Sequence, residues 1–108
     1  MGLKSFIYYL DQALKNRIRE EIQIEKGEVK NFVIQYEAYI SDEWHPVARY
    51  DTAHGFAHLD LYQTPRQKRK FEVHTKDFNE ALTYAEKDLE KNWMKYRESY
   101  ETHYTEKK

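Results

Sequence analysis

Twelve consecutive residues, Arg49-Tyr50-Asp51-Thr52-Ala53-His54-Gly55-Phe56-Ala57-His58-Leu59-Asp60, hold two of the chain's five histidines, two aspartates and an arginine. A histidine beside a carboxylate is a general acid or base near neutral pH, because its unperturbed pKa is about 6.5. Two such histidines and an arginine can cleave RNA without a metal. One of His54 and His58 takes the proton of the 2′-hydroxyl and the other protonates the leaving oxygen. Asp51 and Asp60 orient the two imidazoles, and Arg49 stabilises the charge growing on phosphorus. This chemistry calls for no cofactor. Arg66, Lys68, Arg69 and Lys70, one hairpin away, can hold neighbouring phosphates.

The same side chains suit other uses. His54, His58 and one or both of Asp51 and Asp60 are sensible ligands for a divalent ion. The four-residue gap between the histidines is that of a zinc-binding helix, but Gly55 and the strand pattern on both sides argue against a helix. A structural role is equally open: Asp, His and Gly are ordinary turn residues, and Asp51 can pair with Arg49 or cap the bend. A non-catalytic module would instead bind a protein partner or its own copy through a polar sheet face or the tyrosine-rich end of a helix. His45, His74 and His103 stand apart from the cluster and carry no assigned role.

The flanking sequence must place these residues. Residues 3 to 14 set Leu3, Phe6, Ile7, Leu10 and Leu14 at helical spacing, which predicts a short amphipathic N-terminal helix. The period then changes to two. Ile18, Ile22 and Ile24 alternate with charged and polar residues, interrupted on the apolar side only by Glu20. A second strand follows the Lys26-Gly27-Glu28 turn, from about Val29 to Ile40, and a third runs from Trp44 to Asp51. The motif bends at Ala53-His54-Gly55. Leu59 and Leu61 then alternate with His58, Asp60 and Tyr62 in a fourth strand. Gln63 to Lys70 reads as a basic turn, and Phe71 and Val73 continue as a fifth strand. Short connections predict an antiparallel meander.

Asp77 with Glu80 three residues on is a helix start. From there Phe78, Leu82, Ala85, Leu89, Trp93, Tyr96 and Tyr100 keep one face for about 25 residues, roughly 38 Å of helix. Such a helix outreaches the width of five strands, so its far end needs a partner. The N-terminal helix is the candidate, packed within one chain or exchanged between two to give a homodimer. The fold expected is therefore α+β in one domain spanning residues 1–108, a five-stranded antiparallel sheet on a long C-terminal helix. Regular alternation puts Val47, Arg49 and Asp51 on one face, where His58 and Asp60 can join them opposite the helix.

Composition bounds the function. Eighteen basic and nineteen acidic residues give a net charge of −1, which excludes a globally basic nucleic-acid binder but not a local patch. Aromatics at 16% argue for a folded domain rather than disorder. The absence of cysteine removes disulfides, thiol nucleophiles and thiolate metal sites, and with abundant Glu, Lys and Arg it fits a protein from a hot environment. No apolar run is long enough to span a bilayer, and residues 1 to 10 lack the features of a signal peptide, so a cytoplasmic location is expected.

Trp44, Pro46-Val47, Arg49 to Gly55, His58-x-Asp60, Asp77 to Leu82 and Trp93-x-x-Tyr96-Arg97 resemble a family of small uncharacterised proteins found largely in archaea and thermophilic bacteria. That likeness covers roughly Val29 to Tyr100 and implies no particular activity. A looser likeness runs to the TumE-type toxins of toxin-antitoxin loci, which carry a similar Arg-Tyr-Asp-x-x-His-Gly core. On Arg49, Tyr50, Asp51, His54, Gly55 and His58 it implies an RNA-directed toxin held by an antitoxin partner. The toxins place a denser Gly, Asp and His run after the first histidine than the Phe56-Ala57-His58 found here.

Overall fold

The structure is a computed structural model that describes residues 2–107, with side chains as far as residue 104. Six strands follow one another in space in chain order, each antiparallel to the next. They are β1 (Gly2–Tyr9), β2 (Asn16–Glu25), β3 (Glu28–Ile40), β4 (Glu43–Asp51), β5 (His58–Thr64) and β6 (Gln67–Glu72). One helix, α1 (Phe78–Lys107), packs on β3, β4 and β5. The α+β meander with a long C-terminal helix is as expected. The sheet has six strands rather than five, and the predicted N-terminal helix is strand β1.

That first segment satisfied the helical period, yet its Phe6-Ile7-Tyr8-Tyr9 run is rich in residues that favour strands. The decisive requirement is backbone pairing, because β2 would otherwise leave a row of donors and acceptors unmet. Asp11 closes the β1–β2 hairpin: its carboxylate accepts from the Lys15 and Asn16 amides at 3.1 and 3.0 Å and from the Asn16 side chain at 3.1 Å. Lys26 and Gly27, with φ of 51° and 77°, and Ser41 and Asp42, with 52° and 66°, make two-residue turns with both centres left-handed. Such turns match the twist of the strands they join. The basic segment is also a strand rather than a turn. Thr64 Oγ1 accepts from the amides of Arg66 and Gln67, which confines the reversal to Pro65-Arg66 and puts Lys68, Arg69 and Lys70 on β6.

α1 starts where expected. Asp77 Oδ1 accepts from the Glu80 amide at 2.8 Å, and Glu80 reaches back to the Lys76 amide at 3.4 Å. Asp77→Ala removes the partner of a helix-end donor and should lower stability by about 1 kcal/mol. Urea unfolding would measure it, with Asp77→Ser recovering most of the loss.

The helix runs along β3 rather than across the sheet. Phe78 meets Phe32 edge-on with ring centres 6.4 Å apart, Trp93 meets Tyr36 at 6.0 Å, and Arg97 donates to the Tyr39 carbonyl at 3.2 Å. Twenty helical residues at 1.5 Å cover about the same length as eight strand residues at about 3.4 Å. The far end therefore finds its partners in the sheet and needs no second helix. His45 on β4 bonds the buried Tyr100 hydroxyl at 2.9 Å and lies edge-on to Tyr104, while Arg97 also bonds Asn16 Oδ1 at 2.9 Å. Neither helix packing nor helix exchange by residues 3 to 14 occurs, and Tyr100 is not a surface anchor.

The core lies between α1 and the facing side of the sheet, where Ile18, Ile34, Tyr36, Ala48, Ala85 and Leu89 are fully buried. Glu20 shares that side. It is 1% exposed and accepts from the Tyr8 hydroxyl at 3.2 Å. Burial first, and then the neighbouring Glu86 carboxyl, push Glu20 up to about 8. Among the described residues no helix is long and apolar enough to cross a membrane.

Candidate functional site

The pairing of β4 with β5 builds the site. Asp51 stands opposite His58 and Arg49 opposite Asp60, and on β6 Lys70 stands opposite Asp60. All lie on the face away from α1, because side chains two apart on a strand share a side. Val47 does not join them. A bulge at the Tyr36–Glu37 step turns it toward α1, where it lines a hollow with Tyr96 and Ser99.

The aspartate at the end of β4 collects three donors. Arg49 Nε reaches Asp51 Oδ2 at 2.8 Å, while His58 Nε2 and the Ala53 amide reach Oδ1 at 3.0 and 3.1 Å. Burial pushes the Asp51 carboxyl up, but the Arg49 and Ala53 hydrogen bonds and the charge of the Arg49 guanidinium outweigh it and hold Asp51 below the usual carboxylate range. The 3.0 Å contact with a carboxylate oxygen calls for a proton on Nε2, so in the neutral imidazole the lone pair is on Nδ1. Lys68 Nζ donates to Asp60 Oδ2 at 3.1 Å, and that bond raises the lysine pKa.

The cluster is buried although it sits opposite the helix. Asp51 is 5% exposed, and His58 and Asp60 are each 2% exposed. The cover is the connection between β4 and β5. The His54 ring stacks on His58 with centres 5.8 Å apart and planes 26° apart, and Phe56 tilts against it at 5.8 Å. Gly55, at φ 83°, lets that connection fold back, and its amide bonds the Thr52 carbonyl at 3.1 Å. His58 Nδ1 and Asp60 Oδ1 are buried acceptors without a partner among the described residues. One ligand atom from each of Asp51, His58 and Asp60 lies within 4.8 Å of the others.

Not every candidate residue converges. His54 is exposed on the connection, and Arg66 is exposed in the β5–β6 turn. Arg69 lies on the helix side of β6 over Phe71, at 5.2 Å from the ring centre. Only Lys68 and Lys70 of the basic segment share the site's face. Tyr50 points to the helix, where its hydroxyl bonds Asp88 at 2.5 Å beside that of Tyr96 at 2.7 Å.

Over residues 1–106 the chain matches the family described as Domain of unknown function (DUF7718). The chain belongs to this family. No curated protein and no solved structure matches it.

This DUF7718 chain also carries site residues that its sequence signalled only by alternation on β3. Arg49 Nη1 donates to Gln35 Oε1 at 3.3 Å, and Gln35 Nε2 donates to Glu37 Oε2 at 2.6 Å. Glu37 is in turn paired with Arg17 at 2.7 Å and Arg19 at 3.1 Å. A hydrogen-bonded chain therefore crosses four strands from Arg17 to His58. A cavity of about 210 Å³ opens beside Arg49 and Asp51, bounded by Gln23, Val33 and Ala53 among others. It gives solvent a way to the arginine and aspartate without uncovering His58.

Proposed function

We propose that this DUF7718 chain is a small nucleic-acid-acting protein that cleaves RNA without a metal. His58 is its general base, Asp51 the residue that orients it, and His54 its acid. The observation that carries this reading is the 3.0 Å bond from His58 Nε2 to Asp51, which leaves Nδ1 as an oriented, buried lone pair. The likeness of the Arg-Tyr-Asp-x-x-His-Gly core to RNA-directed toxins supports it, and an antitoxin partner belongs to the same proposal.

In the reaction His58 Nδ1 takes the proton of a 2′-hydroxyl, whose oxygen bonds to phosphorus. The bond from phosphorus to the 5′-oxygen breaks, and protonated His54 supplies the proton that oxygen needs. Arg49 and Lys68, with Lys70 beside them, stabilise the phosphate charge. Because His58 is 2% exposed, the connection that carries His54 and Phe56 must lift before RNA reaches it. The stacked rings then part, and the acid and base can stand on either side of the phosphate.

A second reading is favoured by the two unpartnered acceptors. His58 Nδ1 and Asp60 Oδ1 would ligate a divalent cation, with Asp51 orienting the histidine from behind. One assay separates the two. Purified protein is incubated with mixed RNA in chelator, then with added manganese or zinc. Cleavage in chelator that falls about 100-fold or more in both His58→Gln and His54→Gln, with melting curves retained, supports the first reading. Cleavage that needs the added ion and is lost in His58→Gln and Asp60→Asn supports the second. RNA left intact under both conditions ends both.

A further inference from the structure

We propose that β1 is the contact between two copies of this chain, which join their sheets edge to edge about a two-fold axis at Phe6. The two edges of the sheet differ in kind. β6 carries Lys68, Arg69, Lys70 and Glu72 within six residues, the charged protection usual for an edge left in water. β1 carries one charge, Lys4, in eight residues, with no proline and no bulge. It exposes Leu3 by 71%, Ile7 by 52%, Tyr9 by 45% and Phe6 by 43%. A long, flat, apolar strand edge is a template for another strand.

Its backbone selects that strand. The Leu10 amide bonds the Asn16 carbonyl at 2.8 Å, continuing the β1–β2 register. By the alternation of an antiparallel pair, the backbone groups of Tyr8, Phe6 and Lys4 then face β2, and those of Leu3, Ser5, Ile7 and Tyr9 point outward. These outward groups complement themselves. With Phe6 opposite Phe6 of the second copy, Leu3 meets Tyr9 and Ser5 meets Ile7, each pair formed twice and exchanging two hydrogen bonds. Centring the pairing on Ser5 leaves one fewer such pair among the described residues.

Charge points to the same register. A two-fold axis perpendicular to the sheet keeps both helices on one side. Lys4 of the second copy then lies opposite Tyr8, in the field of Glu90 and Glu86. Lys4 has no ion-pair partner within its own chain among the described residues. The isologous pairing thus brings the one charge on β1 to the acidic group beside it.

Light scattering on the full chain at micromolar concentration tests the proposal. The expected mass is twice the 13.2 kDa of one chain, falling to that of one chain in Leu3→Lys/Ile7→Lys, whose side chains leave the core untouched. The chain has no cysteine, so single introduced thiols report the register cleanly. Phe6→Cys should form a disulfide-linked dimer under mild oxidation, because non-hydrogen-bonded partners stand about 4.5 Å apart at Cα. Ser5→Cys should not, because its counterpart lies two residues out of step. A single-chain mass for the unaltered protein, a dimer that survives the double lysine variant, or crosslinking of Ser5→Cys in preference to Phe6→Cys would overturn the proposal. A monomer that forms a mixed sheet only with a different protein would also overturn it.

Discussion

Asp51→Asn is expected to lower RNA cleavage by about 10²- to 10⁴-fold while the chain still folds. Asparagine has the shape of aspartate but one carbonyl oxygen and one amide group where the carboxylate has two acceptors. Asp51 receives donors on both oxygens, from Arg49 on one and from His58 and the Ala53 amide on the other. If the new amide faces Arg49, two donors oppose each other and the arginine swings away from the phosphate position. If it faces His58, the imidazole must accept at Nε2, its proton moves to Nδ1, and the base lone pair is gone. Either outcome disables the proposed base or its neighbour, at a stability cost of about 1–3 kcal/mol. Single-turnover rates across pH, beside urea unfolding, separate the two effects. A variant as fast as the parent would remove Asp51, and with it the oriented-base reading. The carboxylate also carries a pH signature. Because Asp51 is held below its ordinary range, its stabilising contribution is present above that range and is lost as pH falls through the lowered value.

Glu20→Gln should abolish a loss of stability that the parent suffers as pH rises. In the folded chain Glu20 holds its proton up to about 8, against 4.5 for an unhindered glutamate. Between those values the folded state binds a proton that the unfolded state has released, so stability falls with rising pH. The favourable contribution is complete below about 4.5 and gone once pH passes the folded value. Glutamine keeps the shape, accepts from the Tyr8 hydroxyl and can donate to Glu86 without ever ionising. The variant should match the parent closely near pH 5 and exceed it by a few kcal/mol, in order of magnitude, near pH 9. Urea unfolding of both proteins at several pH values measures the difference, in which the other titrating groups cancel. Parallel pH profiles for the two proteins would show that the Glu20 carboxyl is not held protonated under α1.

Much of the fold was legible because its signals are local. Alternation over β2 to β5 follows from the pleat, which sends successive side chains to opposite faces whatever lies nearby. It was enough to put Arg49, Asp51, His58 and Asp60 opposite the helix, and Asp77 with Glu80 announced the start of α1. The failures also have a local cause. Leu3, Phe6, Ile7 and Leu10 obey the helical period, and only the need of β2 for a backbone partner selects a strand there. The basic segment read as a turn because charged residues usually fill turns, whereas Thr64 held the reversal to two residues and sent the charges along an edge. His45 gave no signal at all, since its partner Tyr100 is 55 residues away.

The amino-acid sequence by itself determined the antiparallel α+β class, the single long C-terminal helix and the strand-bend-strand placing of residues 49 to 60. Periodicity and turn chemistry act between near neighbours and survive without a partner. Only the tertiary structure decided that His54 and Phe56 fold over His58, that His58 donates its Nε2 hydrogen bond to Asp51, and that Glu20 is sealed beneath α1. Those features depend on distances between residues brought together from different elements, and burial changes what each charged group does once it is there.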